Sequence, residues 1–154
     1  MTLYFAYGSN MSRAMMRLRC PSAREVATAA LAGYRFIVMV DGYASVVASP
    51  GGVVHGLLWR LAPRDLASLN VYERRDAGLY RAVTLPVRIG ARRAAALVYV
   101  GRTRAPGRPQ PGYLEPVLVA ARDLELPASY RRALARWLPS GLRGRRAPAT
   151  GEVA

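Results

Sequence analysis

"YFAYGSNM", residues 4–11, is a run of strand-forming aromatics that stops at Gly8-Ser9-Asn10 and passes into "SRAMMRLR", residues 12–19. The opening therefore reads as a strand over residues 2–7, a tight loop, and a helix whose apolar spacing falls on Met11, Met15 and Leu18. A glycine at such a junction lets a ligand approach the backbone, and the first amides of a helix carry partial positive charge, a combination suited to a carboxylate. A purely structural purpose fits the same residues: Gly8 makes the turn, and Ser9, Asn10 or Ser12 caps the helix. Four-residue motifs recur by chance, so the loop alone favours the structural purpose.

Outward from this stretch, apolar segments Glu25–Leu31 and Tyr34–Val40 flank Ala32-Gly33 and read as two antiparallel strands joined by a turn. "YASVVAS" and "VVHGLLWRL" repeat the pattern around Pro50-Gly51-Gly52. Pro63 suits a first helical turn, and "PRDLASLNVYE" sets Leu66 and Leu69 on one face of a helix ending near Glu73, before the polar loop "RRDAG". "LYRAVTLPVRI" and "AAALVYV" are rich in branched and aromatic residues and form a further hairpin about Gly90-Ala91-Arg92-Arg93. "GRTRAPGRPQPG" is an ordered loop placed over a site, with its Arg102–Gly112 part governing substrate choice. Helices over "YLEPVLVAARDL" and "PASYRRALARWL" follow, and residues 139–154 form a flexible Arg/Pro/Gly-rich tail. Six or seven short strands followed by helices imply an α+β fold, an antiparallel sheet or barrel with helices packed on one side, in one domain over residues 1–138.

A chain of 154 residues with 52% hydrophobic content buries a sizeable core. One cysteine, Cys20, excludes an internal disulfide and a cysteine-rich metal site, and reads as a small packing residue in a reduced compartment. No apolar run approaches the length of a membrane span and residue 2 already lies in a strand, so a soluble cytoplasmic protein is expected. The formal charge of +14 raises nucleic acid as a partner. All 23 basic residues are arginine, however, spread through every segment of an Ala-, Gly- and Pro-rich chain. With no RNA-module motif and no basic stripe interleaved with aromatics, a solvated surface is the better account, and an anionic small molecule fits the charge as well.

His55 stands alone between Val54 and Gly56 and reads as a core or strand-surface residue; no zinc spacing occurs, and "YGSN" lacks the further glycines and lysine of a phosphate loop. No metal or cofactor is expected. Among nine acids, Glu73 is the most interesting, because it ends a helix before a polar loop, between Tyr72 and Arg74-Arg75. Burial would raise its pKa toward the range of a general base and the arginines would lower it, so surface ion pair and base both remain open.

Taken together, "YFAYGSNM", "SLNVYERRDAGLY" and "PQPGY" resemble the gamma-glutamylcyclotransferase-like family in order and spacing, from Leu3 to about Leu138. The resemblance implies a small mixed or antiparallel β-barrel with flanking helices. It implies that the backbone of Tyr7, Gly8, Ser9 and Asn10 grips a gamma-glutamyl group, that Glu73 is the general acid/base, and that Tyr80 and Tyr113 are pocket tyrosines. The implied partner is a small gamma-glutamyl substrate, an amino acid or amine conjugate, converted to 5-oxoproline and free amine without a cofactor. This chain departs from the family in reading Leu69-Asn70 where Leu-Asp is usual and Arg74-Arg75 where glycine follows the glutamate, and its Asn10 differs from the Y-G-S-L of the glutathione-specific branch. The alternatives are an enzyme removing gamma-glutamyl groups in natural-product metabolism and a non-catalytic module binding acidic metabolites or nucleic acid.

Overall fold

The computed structural model describes residues 1–74 and 78–139. The chain runs β1 (Thr2–Ala6), a 3₁₀ turn (Ser9–Met11), α1 (Arg13–Arg19), β2 (Arg24–Val38), β3 (Ala44–Leu61), α2 (Pro63–Arg74), β4 (Tyr80–Ile89), β5 (Arg92–Gly101), α3 (Leu114–Asp123) and α4 (Ala128–Ala135). Five strands close a barrel in the order β1-β3-β2-β4-β5. Its neighbours are antiparallel except for β1 and β5, which run parallel where Tyr4 faces Leu97. Closure removes the free sheet edges that would otherwise invite pairing with another chain. The α+β barrel with flanking helices is thus the observed architecture.

Among the described residues the strand count is five, which corrects the expected six or seven. Ala32-Gly33 and Pro50-Gly51-Gly52 do not reverse the chain; they face each other within one long hairpin, where the pairing jumps from Ala32 opposite Val53 to Tyr34 opposite Ala48. Gly33 at φ +82 and Gly51 at φ +78 take left-handed backbone, so the ladder absorbs the unequal lengths as a bulge instead of a turn. The reversal lies at Asp41-Gly42, with Gly42 at φ +95 and Met39 N–H donating to Tyr43 C=O at 2.8 Å.

The first helix is also rephased. Ser12 is extended and caps α1 by accepting from Met15 N–H at 3.3 Å, so Met11 belongs to the preceding 3₁₀ turn and not to the helix. Met16 and Cys20 therefore face the core, while Leu18 is 85% exposed. Burial pushes the Cys20 thiol up to about 11, in keeping with a packing role. α2 follows its expected course with Leu69 fully buried, and α3 and α4 bury Leu114, Val117 and Leu134 against the same core as Phe5, Leu57, Leu58 and Val98. Of the expected tail, residues 140–154 lie outside the described residues, as do residues 75–77 of the "RRDAG" loop.

Candidate active site

The Pro- and Gly-rich segment after β5 packs against the Asp41-Gly42 turn. Ala105 C=O accepts from Val40 N–H at 2.9 Å, Gly107 N–H donates to Val38 C=O at 2.9 Å, and Gln110 binds Gly42 C=O and Asp41 C=O at 3.1 and 2.8 Å. None of residues 102–112 lines the cleft described next. The segment instead braces two residues that do, Tyr43 and Tyr113, whose rings meet edge to face at 5.3 Å. This corrects its expected place over the site.

α2 is set by Asp65, a buried acid that the sequence reading passed over. Its carboxylate accepts from Ala62 N–H at 3.1 Å and Ser22 N–H at 3.2 Å, which ties the start of the helix to the loop after α1. From that anchor the helix carries Tyr72 and the half-buried Glu73 to the wall of a cleft of about 480 Å³, counted with its open mouth. Tyr7, Gly8, Ser9, Asn10, Tyr80 and Tyr113 line the same cleft, so every site residue singled out from the sequence is found there. Tyr4, Tyr43, Tyr72 and Tyr99 also line it, making seven of the chain's nine tyrosines; Glu73 is the one carboxylate among the described lining residues.

Hydrogen bonding sorts the hydroxyls. Tyr7 donates to Tyr99 C=O, Tyr80 to Ala44 C=O at 2.6 Å, and Tyr99 to Asn70 Oδ1, so these three protons are committed to the protein. Tyr4 instead accepts from Asn10 Nδ2 at 3.1 Å and Tyr113 accepts from Ala44 N–H at 3.2 Å, which leaves both of their protons for other acceptors. Burial first, and then the charge of Glu73, holds the Tyr4 and Tyr7 hydroxyls well above the ordinary tyrosine range; burial likewise raises Tyr80 and Tyr113. All four are therefore neutral donors at physiological pH. Asn70 serves as the acceptor that fixes Tyr99, bridging α2 to β5 one helical turn before Glu73.

The space beside Gly8 is tight: a Cβ there would sit 3.1 Å from Tyr113 Oη and 3.5 Å from the Ala44 methyl. Gly8→Ala is expected to fold with a slightly lowered thermal midpoint and to raise KM about tenfold, a loss of about 1.4 kcal/mol in binding. An unchanged KM would show that no ligand occupies the space above residue 8.

Ser9–Met11 form a helical turn whose first amides have no acceptor within it. His55 lies elsewhere, half-buried with its ring edge-on to Tyr130 at 4.9 Å, and burial lowers its pKa. Among the described residues no group of three or more His, Cys, Asp or Glu could hold a metal, and no helix is long and apolar enough to cross a membrane.

Residues 4–115 match the family model described as gamma-glutamyl cyclotransferase, AIG2-like. The gamma-glutamylcyclotransferases of Mus musculus and Homo sapiens are each 27% identical to this chain over an alignment covering 93% of it and 82% of their own length. A solved structure of a gamma-glutamyl cyclotransferase superposes with a TM-score of 0.83 at 26% identity, covering 99% of this chain and 93% of that one. With the family model matched over residues 4–115 and the whole fold superposing on a solved gamma-glutamyl cyclotransferase, the chain belongs to the AIG2-like gamma-glutamyl cyclotransferase family of cyclotransferase-like enzymes.

Proposed function

We propose that the protein converts a gamma-glutamyl amino acid or amine to 5-oxoproline and the free amine, with Glu73 as general acid/base. The observation that carries this reading is that Glu73, the one carboxylate among the described lining residues, shares a tyrosine-walled cleft with the Gly8–Asn10 turn. The amides of that turn bind the glutamyl head. The substrate's α-amine nitrogen attacks its own γ-carbonyl carbon, forming the new C–N bond of a five-membered ring. Glu73 takes the proton released by that nitrogen and returns it to the departing amide nitrogen as the old C–N bond breaks. Nucleophile and electrophile belong to one molecule, so the protein's task is to hold a near-attack conformer and to move one proton.

The test is 5-oxoproline formation from a panel of gamma-glutamyl amino acids and gamma-glutamyl amines. Product from at least one member, with an equal amount of free amine, is expected. Silence across the panel at high enzyme concentration would overturn the reading.

A further inference from the structure

The direction of the Tyr4 hydroxyl proton is dictated by its neighbours. A guanidinium carries donors only, so Arg19 Nη1 faces the side-chain oxygen of Asn10, while also donating to Ser9 Oγ at 3.1 Å. The other end of the Asn10 amide is thereby fixed as a donor, and Nδ2 meets Tyr4 Oη at 3.1 Å. Asn10 is held in place by burial, at 3% exposure, and by Trp59 Nε1, which donates to its backbone carbonyl at 3.0 Å. A flipped amide would set its NH₂ against the guanidinium, donor against donor. The Tyr4 oxygen is thus already an acceptor within the protein, and its own proton must leave in another direction. Tyr4 lines the cleft, its ring packed edge-on to Tyr99 at 5.8 Å. The same Arg19 guanidinium lies 4.0 Å over the ring of Tyr72, the residue before Glu73, so one side chain touches both the ligand-facing turn and the end of α2.

We propose that Arg19, Asn10 and Tyr4 form an orientational relay that presents the Tyr4 hydroxyl proton to the bound ligand, with Tyr4 as a further catalytic donor and Arg19 as a positioning residue acting through Asn10. The proposal rests on the cyclisation described above. As the α-amine attacks, the γ-carbonyl oxygen gains negative charge and accepts a hydrogen bond from Tyr4; the bond weakens when the carbonyl re-forms and the amine departs. The proton stays on Tyr4 throughout. Pre-oriented donors of this kind act because they need no reorganisation as charge develops.

Asn10→Asp is the discriminating variant, because it keeps the size of the side chain and its bond to Arg19 but has no donor. Its carboxylate accepts from both Arg19 and Tyr4, which turns the Tyr4 proton away from the ligand. Tyr4→Phe and Asn10→Asp are each expected to lower kcat about a hundredfold. The double variant should be no worse than either single one, since both remove the same hydrogen bond. Arg19→Ala should show a comparable fall that Arg19→Lys, another pure donor, partly restores. Thermal midpoints are measured alongside; if Asn10→Asp does not fold, Tyr4→Phe combined with Arg19→Ala supplies the same non-additivity test. Wild-type kcat in folded Tyr4→Phe, or additive losses in the double variant, overturns the relay. A wild-type protein that forms no 5-oxoproline overturns the cyclisation reading instead. The relay is then judged by calorimetric binding of the same compounds, where undiminished binding by Tyr4→Phe, or no binding by the wild type, overturns it.

Discussion

Replacing Glu73 with Gln lowers kcat by about 10²–10⁴ while leaving KM within a few-fold of wild type: this is the expected result with the largest effect on activity. The amide has the shape of the carboxylate but cannot take a proton from the attacking amine or return one to the leaving nitrogen. Glu73 is half-buried near the end of α2, a helix anchored at its other end by Asp65 and packed through Leu69, so the substitution leaves those supports in place. The neighbouring tyrosines stay neutral at physiological pH in either form, because burial is the first cause of their raised pKa values. Glu73→Asp supplies the complementary arm. It keeps the carboxylate but withdraws it by one methylene, and misplacement on the order of 1 Å costs up to about a hundredfold. The expected order is wild type, then Asp, then Gln, measured by 5-oxoproline formation with circular dichroism as the control on folding. Wild-type turnover in Glu73→Gln would remove the residue from the chemistry altogether.

The legibility of this chain varied with the range of the interactions involved. The strand–loop–helix opening, α2 and the β4/β5 hairpin were readable because their signals are local: a glycine at a junction, apolar residues at helical spacing, and branched residues either side of Gly90. The β2/β3 hairpin is not legible locally because a bulge and a reversal use the same residue chemistry. Gly33 and Gly51 satisfy positive φ equally well in either role, and only the pairing across strands distinguishes them. Asp41-Gly42 between apolar runs is the stronger local signal for the reversal.

The cleft shows the same division. The turn at Gly8–Asn10 and Glu73 could be found from short motifs. Tyr4 and Tyr99 could not, since an aromatic on a strand reads as core, and the bond from Tyr99 to Asn70 spans 29 residues of sequence. Arg19 was invisible for a different reason: it is one of 23 arginines, and nothing local separates it from the solvated ones. Only contact with Ser9, Asn10 and Tyr72 does so.

Gly56→Ala is expected to produce the largest loss of stability. Gly56 lies on β3 opposite Ala29, next to the stretch of that strand paired with β1. A Cβ built there would come within 2.2 Å of Ala6 C=O and 2.9 Å of two ring carbons of Phe5, which is fully buried. Neither neighbour can give way cheaply: one is backbone, and the other is enclosed by the core. Overpacking of this kind costs about 3 kcal/mol or more, which at this chain length lowers the thermal midpoint by roughly 6–12 °C. Gly33→Ala provides the contrast. Its residue has φ +82 but nothing within 4 Å of the added methyl, so only left-handed backbone strain of about 1–2 kcal/mol is incurred. The order of the two midpoints tests the described register, because Gly56 is the damaging site only if the end of β1 approaches β3 at this position. Activity should follow stability at Gly56 but not at Gly33. Ala6 is the last residue of β1 and leads directly into Tyr7 and Gly8, so a displaced carbonyl at residue 6 is carried into the turn that faces the ligand. Gly33→Ala less stable than Gly56→Ala would mean that strain in the bulge, and not the close approach of β1 to β3 at Gly56, limits the barrel.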